Sequence, residues 1–372
     1  MALKVLTVVG TRPELIKLSS VIPALDRAVR HVLVHTGQNH DYELNQVFFD
    51  GLGLRKPDHF LDAAGEGAMA TIANVLLRVD ALLATEAPDA FLVLGDTNSC
   101  LSAIAAKRRR IPVFHMEAGN RCLDERVPEE INRRIVDHVS DIHLPYSEHA
   151  RRYLLDEGIR ADMIVKTGSP MKQVLAAQKV KISRSRILAT LGVKRGGFFL
   201  ASAHREENVD EPARLRLLLG ALEAVAQRFK RPVVVSTHPR TRKRLDALRG
   251  AKPHRLLRFI KPLGFADYVR LQLEAACVLS DSGTLTEEAS LLGFAAVMLR
   301  EAHERPEGMD EGTVAMSGLE PERVVECVEQ VRGRRRRPRV VADYDVDDVA
   351  AKVVNAIQSY TGYVDRIVWR KR

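Results

Sequence analysis

Short runs of apolar residues alternate along the chain with longer segments in which apolar residues recur every three or four positions. A run such as Lys4–Val9 is typical of a buried strand, and a segment such as residues 68–85 is typical of an amphipathic helix. Regular alternation of the two predicts parallel sheets flanked by helices. The alternation pauses near residues 168–170 and restarts at residues 198–202. The pattern therefore predicts two doubly wound sheets.

The predicted strands of the first sheet cover residues 4–9, 31–36, 91–94, 112–116, 141–144 and 163–167, and those of the second cover 198–202, 232–236, 256–260, 277–279 and 295–299. The main predicted helices cover residues 15–27, 41–49, 68–85, 148–157, 211–229, 266–276, 285–292 and 346–359. The simplest architecture is an α/β protein with two Rossmann-like doubly wound domains that face each other across a cleft.

The length of the chain also favours two domains, because 372 residues exceed what a single hydrophobic core usually holds. We place the N-terminal domain at residues 1–170 and the C-terminal domain at residues 171–357. The C-terminal helix, residues 358–372, is expected to pack back on the N-terminal domain. No sequence repeat relates the two halves.

The composition, 46% hydrophobic and 28% charged residues, is that of an ordinary globular protein. No opening segment combines a basic start with a long apolar run, and nowhere do about 18 apolar residues stand together. We therefore expect a soluble cytoplasmic protein with no membrane partner. The four cysteines are far apart and form no CxxC pair, which argues against a disulfide framework and against a structural zinc.

The net charge of +9 raises the question of a nucleic-acid partner. The basic excess is concentrated in three short segments, residues 107–110, 332–339 and 370–372. Only 5% of residues are aromatic, and no stacking platform or recognition motif accompanies the charge. We therefore expect no nucleic-acid partner, because a polyanionic small ligand or an arginine-rich genome explains the charge as well.

Acidic residues follow two neighbouring strands of the predicted first sheet. Asp96 and Glu117 come directly after these strands, and Glu129 and Glu130 stand behind Pro128 at a predicted helix start. The carboxyl ends of parallel strands meet at one edge of the sheet, where such sheets bind ligands. Crowded carboxylates acquire the shifted pKa values that acid–base catalysis uses. The alternative is a helix cap at Asp96 and a solvated first turn at the glutamates.

A basic pair stands at the same predicted edge. The segment GTRPE, residues 10–14, follows the first strand and opens a helix that carries Arg12 and Lys17. Backbone N–H groups at a helix start, together with nearby cations, bind anions. The alternative is an ordinary strand–helix turn with solvated basic side chains, and these residues taken alone favour that alternative.

The second half of the chain also contains candidate site residues. The segment Ser-Gly-Thr at residues 282–284 opens a helix, and it suits either a phosphate or a plain helix cap. Glu288, one turn further on, can accept two hydrogen bonds from a ribose diol. His204 follows the first strand of this half, and Arg305 follows the last. His204 is either an acid or phosphate ligand or a loop histidine without a chemical role.

Seven motifs occur in order along nearly the whole chain. They are GTRPE with Lys17, GDT at 95–97, HMEAG at 115–119, PEE..R at 128–133, AHRE at 203–206, DSG..EEA at 281–289 and ERPE at 304–307. In residues and in spacing these motifs resemble the non-hydrolysing UDP-N-acetylglucosamine 2-epimerases. The resemblance implies a glycosyltransferase-B-like fold and an isomerase that inverts C2 of a UDP-N-acetylhexosamine.

The resemblance also implies roles for individual residues. Those that match the acid–base carboxylates and the catalytic histidine of the family are Asp96, Glu117, Glu129 and His204. Those that match its UDP pocket are Arg12, Lys17, Ser282, Gly283, Glu288 and Arg305. Two features depart from the family pattern. Thr284 stands where many relatives have a second glycine, and residues 38–41 differ from the loop that holds an allosteric second UDP-sugar in several bacterial members.

The longer strings LGDTNSC, HMEAGNRC, SAHREENVD, STHPRTR and EAHERPEGM most resemble the branch that converts UDP-N-acetyl-L-pneumosamine to UDP-N-acetyl-L-fucosamine for capsule or O-antigen synthesis. Conversion of UDP-GlcNAc to UDP-ManNAc is the alternative within the family. A glycosyltransferase of the same architecture and a non-enzymatic UDP-sugar sensor are the alternatives outside it. Three convergent carboxylates favour the epimerase, because an elimination needs a base and an acid. We predict a homodimer without a metal or another cofactor.

Overall fold

The protein, described by a computed structural model, divides into two compact units. The described residues are 2–38, 49, 51–237, 239–248 and 254–371. The first unit comprises Met1–Ala177 and Asp343–Arg372, and the second comprises Gln178–Ala342. The sequence predicts boundaries at residues 170 and 357, whereas the structure keeps the whole segment from Asp343 onward with the first unit. There the Asp343 carboxylate lies 2.6 Å from the Lys166 ammonium.

The first unit is built on a sheet of six parallel strands. In chain order these are β1 (Lys4–Val9), β2 (Arg30–His35), β3 (His59–Phe60), β4 (Ala90–Leu94), β5 (Val113–Met116) and β6 (Ile142–Leu144). Their order across the sheet is β3-β2-β1-β4-β5-β6. This is the order of a Rossmann fold, in which the winding changes direction between β1 and β4. The loops that follow β1 and β4 therefore flank the switch point, where such sheets bind ligands.

The helices of the first unit differ from the prediction near its start. They are α1 (Arg12–Leu18), α2 (Val21–Ala28), α3 (Ala68–Glu86), α4 (Ala103–Arg108), α5 (Pro128–Val139), α6 (Glu148–Asp156) and α7 (Met171–Arg184), the last of which runs into the second unit. The predicted single helix at residues 15–27 is wrong. Pro23 has no N–H to bond the carbonyl of Ser19, and the Ser19 hydroxyl donates to Ile16 at 2.7 Å. The helix therefore breaks after α1.

The predicted strand at residues 163–167 is also wrong. The structure has a short 3-10 helix at Ala161–Met163, followed by an isolated bridge between His143 and Ile164. The Val165 N–H still donates to the carbonyl of His143 at 2.9 Å, but Gly168, with a φ of 86°, turns the chain away. The predicted helix at residues 41–49 lies outside the described residues except for Phe49.

Helix α3 supplies part of the core of the first unit. Val75, Val79 and Leu83 are buried on the face that packs against the sheet. Among the described residues, α3 is the one helix that is long and apolar enough to cross a membrane by length and composition. Its apolar sequence is interrupted by Asp80, which is 2.6 Å from Arg109. In this unit α3 therefore serves as a helix that covers the sheet.

The second unit repeats the topology of the first. Its strands are β7 (Phe199–Ser202), β8 (Val233–Ser236), β9 (Leu257–Ile260), β10 (Val278–Ser280), β11 (Ala296–Met298) and β12 (Ala315–Met316). Their order is β12-β11-β10-β7-β8-β9, so the winding changes direction between β7 and β10. The predicted α/β class with two Rossmann-like, doubly wound parallel sheets is confirmed. The two-residue strands β3 and β12 are too short to show a periodic pattern, and the sequence did not predict them.

Helices connect these strands and return the chain to the first unit. They are α8 (Ile187–Leu191), α9 (Glu206–Val209), α10 (Pro212–Phe229), α11 (Pro239–Ala247), α12 (Phe265–Glu274), α13 (Thr284–Leu292), α14 (Pro306–Asp310), α15 (Pro321–Arg332) and α16 (Val349–Ile367). Helix α16 packs on α2 of the first unit and is longer than predicted. All four cysteines are buried and free.

Candidate active site

Asp96 and Glu117 stand at the carboxyl ends of β4 and β5. The two strands are neighbours, with Leu94 opposite Met116. A Cβ atom built on Gly95 would lie 3.8 Å from the Glu117 carboxylate, so the two loops approach each other closely. Glu117 has a φ of 63°, a left-handed conformation that costs a non-glycine residue about 1–3 kcal/mol. Strained residues of this kind cluster at functional sites.

Glu117 forms a buried ion pair with Lys17 of α1. The Lys17 ammonium donates to one carboxylate oxygen, and the Asn120 amide donates to the other at 3.3 Å. Lys17 is 5% exposed and Glu117 is 9% exposed. The ammonium also lies 5.7 Å from the ring centroid of Tyr146. Lys17, which the resemblance assigns to the UDP pocket, therefore contacts a carboxylate that the same resemblance assigns to acid–base chemistry.

Asp96 has a cation of its own, Arg133 of α5. Nε and Nη2 of Arg133 both lie 2.7 Å from one carboxylate oxygen of Asp96, and Nη1 donates to Glu130 at 2.6 Å. Glu130 is fully buried and also accepts from the backbone of Cys122 at 3.0 Å. Burial opposes its ionisation, but the hydrogen bond from Cys122 and the charge of Arg133 lower the pKa of Glu130. Glu130 therefore holds Arg133 in place, whereas Glu129 beside it is half-buried.

A buried carboxylate that the sequence analysis missed, Glu14, ties the loops after β1 and β4 together. One of its oxygens accepts from the backbone N–H groups of Gly10 and Thr11, at 2.9 and 2.6 Å. The other accepts from the hydroxyl of Thr97, next to Asp96, at 3.0 Å. Burial raises the pKa of Glu14 against the effect of these hydrogen bonds. The capping-box spacing of Thr11 and Glu14 is the sequence signal that identifies this residue.

A second buried charge cluster supports the loop after β5. Its centre is Asp137 of α5, which is fully buried. The carboxylate accepts from His115 Nδ1 at 2.8 Å, the Gly119 N–H at 3.1 Å and Arg121 Nη1 at 2.8 Å. Burial opposes ionisation, but the hydrogen bond from His115 and the charges of His115 and Arg121 hold the pKa of Asp137 well below its ordinary value. His115 Nε2 lies 2.7 Å from the carbonyl oxygen of Gly95, which connects the cluster to the loop after β4.

Replacing Asp137 by asparagine should lower the free energy of unfolding by about 1–3 kcal/mol at neutral pH, because an amide leaves buried donors unsatisfied. The folded protein depresses the pKa of Asp137, so its stabilisation is complete above the ordinary pKa of an aspartate and is lost as the pH falls towards the folded value. Urea unfolding at several pH values should show a stability difference that shrinks with acidity. Asp347→Asn is the control, because the Asp347 side chain is 82% exposed. A difference for Asp137→Asn that is independent of pH would contradict the assignment.

In the second unit, His204 follows β7 and Asp281 follows β10, the two strands at its switch point. Nδ1 of His204 lies 3.3 Å from a carboxylate oxygen of Asp281. The same carboxylate accepts from the backbone N–H groups of His204 and Arg205, each at 3.0 Å. The His204 side chain is 41% exposed, whereas that of Asp281 is fully buried. An accessible imidazole oriented by a carboxylate can transfer a proton near physiological pH.

The segment that opens α13 lies next to Asp281. Ser282 and Gly283 precede the helix, and Thr284 is its first residue. The Thr284 hydroxyl is 3.1 Å from that of Ser282, so the threonine that replaces a family glycine takes part in this turn. Glu288 is buried and accepts from the amide of Gln272 at 2.5 Å. The start of α13 is therefore suited to a phosphate, and a buried carboxylate is held one turn further along the helix.

Buried carboxylates also hold the arginines of this unit. Arg305 is 3% exposed, and its Nη2 donates to Glu287 at 3.2 Å. One nitrogen of Arg300 donates to both oxygens of Glu304, each at 2.9 Å. Arg205 Nη2 lies 3.4 Å from the same carboxylate. These guanidinium groups therefore have fixed positions, which is what recognition of a pyrophosphate requires.

The predicted site residues are divided between the two units. In the first unit, Lys17 pairs with Glu117, and the loop that contains Asp96 lies next to the loop that contains Glu117. Arg12 is exposed at the first position of α1, and Glu129 lies in the first turn of α5. Their roles, like those of the site residues in the second unit, stay predictions. Residues 39–41 of the loop that departs from the family pattern lie outside the described residues.

Comparison with known proteins shows the family of this chain. The family model described as UDP-N-acetylglucosamine 2-epimerase matches residues 24–358. The chain belongs to this family. UDP-N-acetylglucosamine 2-epimerases are isomerases, so the chain is assigned to that enzyme class, as its motifs predict.

Two solved structures and one relative found by sequence support the membership in this epimerase family. The UDP-N-acetylglucosamine 2-epimerase from Rickettsia bellii is 49% identical over 100% of both chains, with a TM-score of 0.92. The UDP-GlcNAc 2-epimerase from Methanocaldococcus jannaschii, solved in complex with UDP-GlcNAc and UDP, is 30% identical with a TM-score of 0.90, and the match covers 96% of this chain and 100% of that one. The UDP-2,3-diacetamido-2,3-dideoxy-D-glucuronate 2-epimerase of Pseudomonas aeruginosa is 35% identical over 89% of this chain and 93% of its own length.

Proposed function

We propose that this family member converts UDP-N-acetyl-L-pneumosamine to UDP-N-acetyl-L-fucosamine by inverting C2. The observation that carries the chemistry is the pair Asp96 and Glu117, two carboxylates with separate buried cations at the ligand-binding edge of the first sheet. Inversion of a carbon centre needs a proton acceptor on one face and a proton donor on the other. Two separately held carboxylates suit that requirement.

The mechanism follows from the weak acidity of the C2 proton. C2 of a UDP-N-acetylhexosamine has no carbonyl directly attached, so simple deprotonation is not feasible. When the bond from C1 to the pyrophosphate oxygen breaks, its electron pair leaves with UDP, and positive character at C1 acidifies the C2–H bond. Loss of the C2 proton to a carboxylate then forms the C1=C2 bond of a 2-acetamidoglycal. A proton delivered to the opposite face of C2, with return of the UDP oxygen to C1, gives the inverted product.

Asp96, Glu117 and Glu129 supply the carboxylates in this scheme, and His204 with the arginines stabilises the departing UDP. Because neighbouring carboxylates titrate together, no single one is assigned to a face. Epimerisation in D2O should place deuterium at C2 of the product, which NMR detects. Inversion without solvent deuterium at C2 would rule out exchangeable carboxylates as the proton source.

UDP itself should supply most of the binding free energy, through Ser282, Gly283 and Arg305, because a pyrophosphate accepts several charge-assisted hydrogen bonds while the sugar must stay free to reorient. Arg305→Ala should weaken UDP binding about 10- to 100-fold in calorimetry, the loss expected for a hydrogen bond to a charged group. Arg305→Lys should retain part of the affinity, since it keeps the charge but not the fork of donors.

Two controls accompany this measurement. Arg305 pairs with buried Glu287, so thermal unfolding must show that the variants are folded at the assay temperature. Arg228→Ala removes an exposed arginine that pairs with Glu329 at 2.7 Å, and it should leave UDP affinity unchanged. If folded Arg305→Ala bound UDP as tightly as the parent protein, the placement of the pyrophosphate would be wrong.

The proposed sugar rests on the strings that resemble the UDP-N-acetyl-L-fucosamine branch. The relatives of this protein are named for more than one UDP-sugar, as the Pseudomonas aeruginosa enzyme and the UDP-GlcNAc epimerases illustrate. The test is to incubate the purified protein with a panel of UDP-N-acetylhexosamines and to follow the configuration at C2 by NMR. UDP-N-acetyl-L-pneumosamine should turn over fastest. Equal or faster turnover of UDP-GlcNAc would favour the second candidate, a UDP-GlcNAc to UDP-ManNAc epimerase, which the names of most relatives support.

The same panel separates the epimerase from the other classes. A glycosyltransferase would need an acceptor before any product appears, and its product would not remain attached to UDP. A UDP-sugar sensor would bind UDP without exchanging the proton at C2. We further propose that the protein is a cytoplasmic homodimer that serves capsule or O-antigen synthesis.

A further inference from the structure

The two units solve the same structural problem in the same way. In each sheet, the chain continues in opposite directions from the two neighbouring strands at the switch point. The loops that follow these two strands therefore need a contact that keeps them side by side. In the first unit Glu14 of α1 bonds to both loops. In the second unit the corresponding buried carboxylate is Asp281, which lies in one loop and bonds to the other. The reaction scheme above uses neither residue.

Asp281 is surrounded by donors from the loop after β7. Its carboxylate accepts from the backbone N–H of His204 at 3.0 and 3.2 Å and from that of Arg205 at 3.0 Å. The amide of Asn208 donates to it at 3.2 Å, while also donating to the carbonyl of Leu299 at 2.9 Å. In addition, Nδ1 of His204 lies 3.3 Å from Oδ1. The fully buried carboxylate therefore holds the backbone of His204 by hydrogen bonds and lies 3.3 Å from the ring nitrogen Nδ1.

We propose that Asp281 is a positioning residue that keeps the proton on Nδ1 of His204 and thereby presents Nε2 to the departing pyrophosphate. This inference rests on the proposed epimerase function. A carboxylate accepts hydrogen bonds only, so the ring nitrogen that faces it must carry the proton. The opposite nitrogen, Nε2, then accepts or donates a proton according to the charge of the ring.

The charged residues that follow His204 and β11 form ion pairs with one another. The guanidinium of Arg205 lies 3.4 Å from Glu304, and Glu304 in turn accepts from Arg300. Arg300 Nε also lies 3.6 Å from Glu207 of α9. In these ion pairs the arginine side chains contact glutamates and not the Asp281 carboxylate. Asp281 instead accepts from backbone N–H groups and from the amide of Asn208, and among the described residues the His204 imidazole is the titratable side chain paired with it.

The first test is a kinetic double-mutant cycle. Asp281→Asn should lower kcat about 10- to 100-fold. It should change the dissociation constant of UDP less than about threefold, because Ser282 and Gly283, the proposed phosphate ligands at the start of α13, are unchanged. In a His204→Asn background, Asp281→Asn should have almost no further effect on kcat, since residues that act as one unit are not additive. Equal effects in the two backgrounds, or a loss of UDP affinity as large as the loss of kcat, would overturn the proposal.

Asp141→Asn is the matched control. Asp141 is also a buried carboxylate that accepts from a backbone N–H, that of Val113 at 2.9 Å, but it directly precedes β6, at the amino ends of β5 and β6 and away from the ligand-binding edge. This variant should lose stability without losing turnover. Thermal unfolding of both variants separates a general cost of removing a buried carboxylate from an effect on His204.

The second test needs neither turnover nor an altered Asp281. Nitrogen chemical shifts of the parent protein, labelled at its 12 histidines and assigned by difference with His204→Gln, report which ring nitrogen is protonated. The neutral ring of His204 should carry its proton on Nδ1. A proton on Nε2 would overturn the proposal even in a fully active enzyme. If the parent protein epimerised none of the UDP-sugars yet showed the Nδ1 proton, the proposed function would fail while the orienting contact stood.

Discussion

Asp96→Asn should reduce turnover about 10²- to 10⁴-fold, the contribution expected from a positioned acid–base group, while UDP binding changes less than about threefold. The amide is nearly isosteric with the carboxylate and can still accept one hydrogen bond from Arg133, but it cannot take a proton from C2. Glu117→Gln should behave in the same way. Turnover followed by NMR and UDP affinity measured by calorimetry are the two readouts.

Asp80→Asn is the control for this pair of variants. Asp80 accepts from Nε and Nη2 of Arg109 at 2.6 and 2.8 Å, which copies the carboxylate–arginine pairing of Asp96 on an exposed face. Its loss should leave turnover unchanged. Near-normal turnover of both Asp96→Asn and Glu117→Gln would remove these carboxylates from the mechanism.

Lys17→Met should both destabilise and inactivate the protein. It leaves Glu117 as a buried charge without the ammonium that neutralises it, and breaking such a pair costs about 3–5 kcal/mol. Adding Glu117→Gln should recover much of the free energy of unfolding, because the unpaired charge is then removed, but it should not recover turnover. Urea unfolding and the C2 assay measure the two effects separately.

Lys107→Met provides the comparison for Lys17→Met. Lys107 pairs with buried Asp141 in the same unit, so loss of Lys107 also leaves a buried carboxylate without its lysine. Asp141 lies beside the first residue of β5, whereas Glu117 follows the last. This variant should lose stability and keep turnover. If the double variant Lys17→Met with Glu117→Gln were no more stable than Lys17→Met alone, the buried ion pair would not be the source of the loss.

Most strands were predictable because each contains enough apolar residues to show a pattern. The exceptions have local physical causes. Pro23 ends the hydrogen-bond ladder of the first predicted helix. A short 3-10 helix at Ala161–Met163 takes up the start of residues 163–167, and Gly168 turns the chain at their end. The strands β3 and β12 contain two residues each, so pairing with a neighbour decides their existence.

The sequence by itself determined the two Rossmann-like sheets, the family and the loops in which Asp96, Glu117, His204 and Ser282 stand. These follow from local periodicity and from motifs whose residues are close together in the chain. Only the tertiary structure decided which charges neutralise one another. Lys17 and Glu117 are 100 residues apart in sequence, and His204 and Asp281 are 77 apart, so no local pattern links them. Burial makes an unpaired charge costly, and the fold therefore selects each partner by proximity in space rather than along the chain.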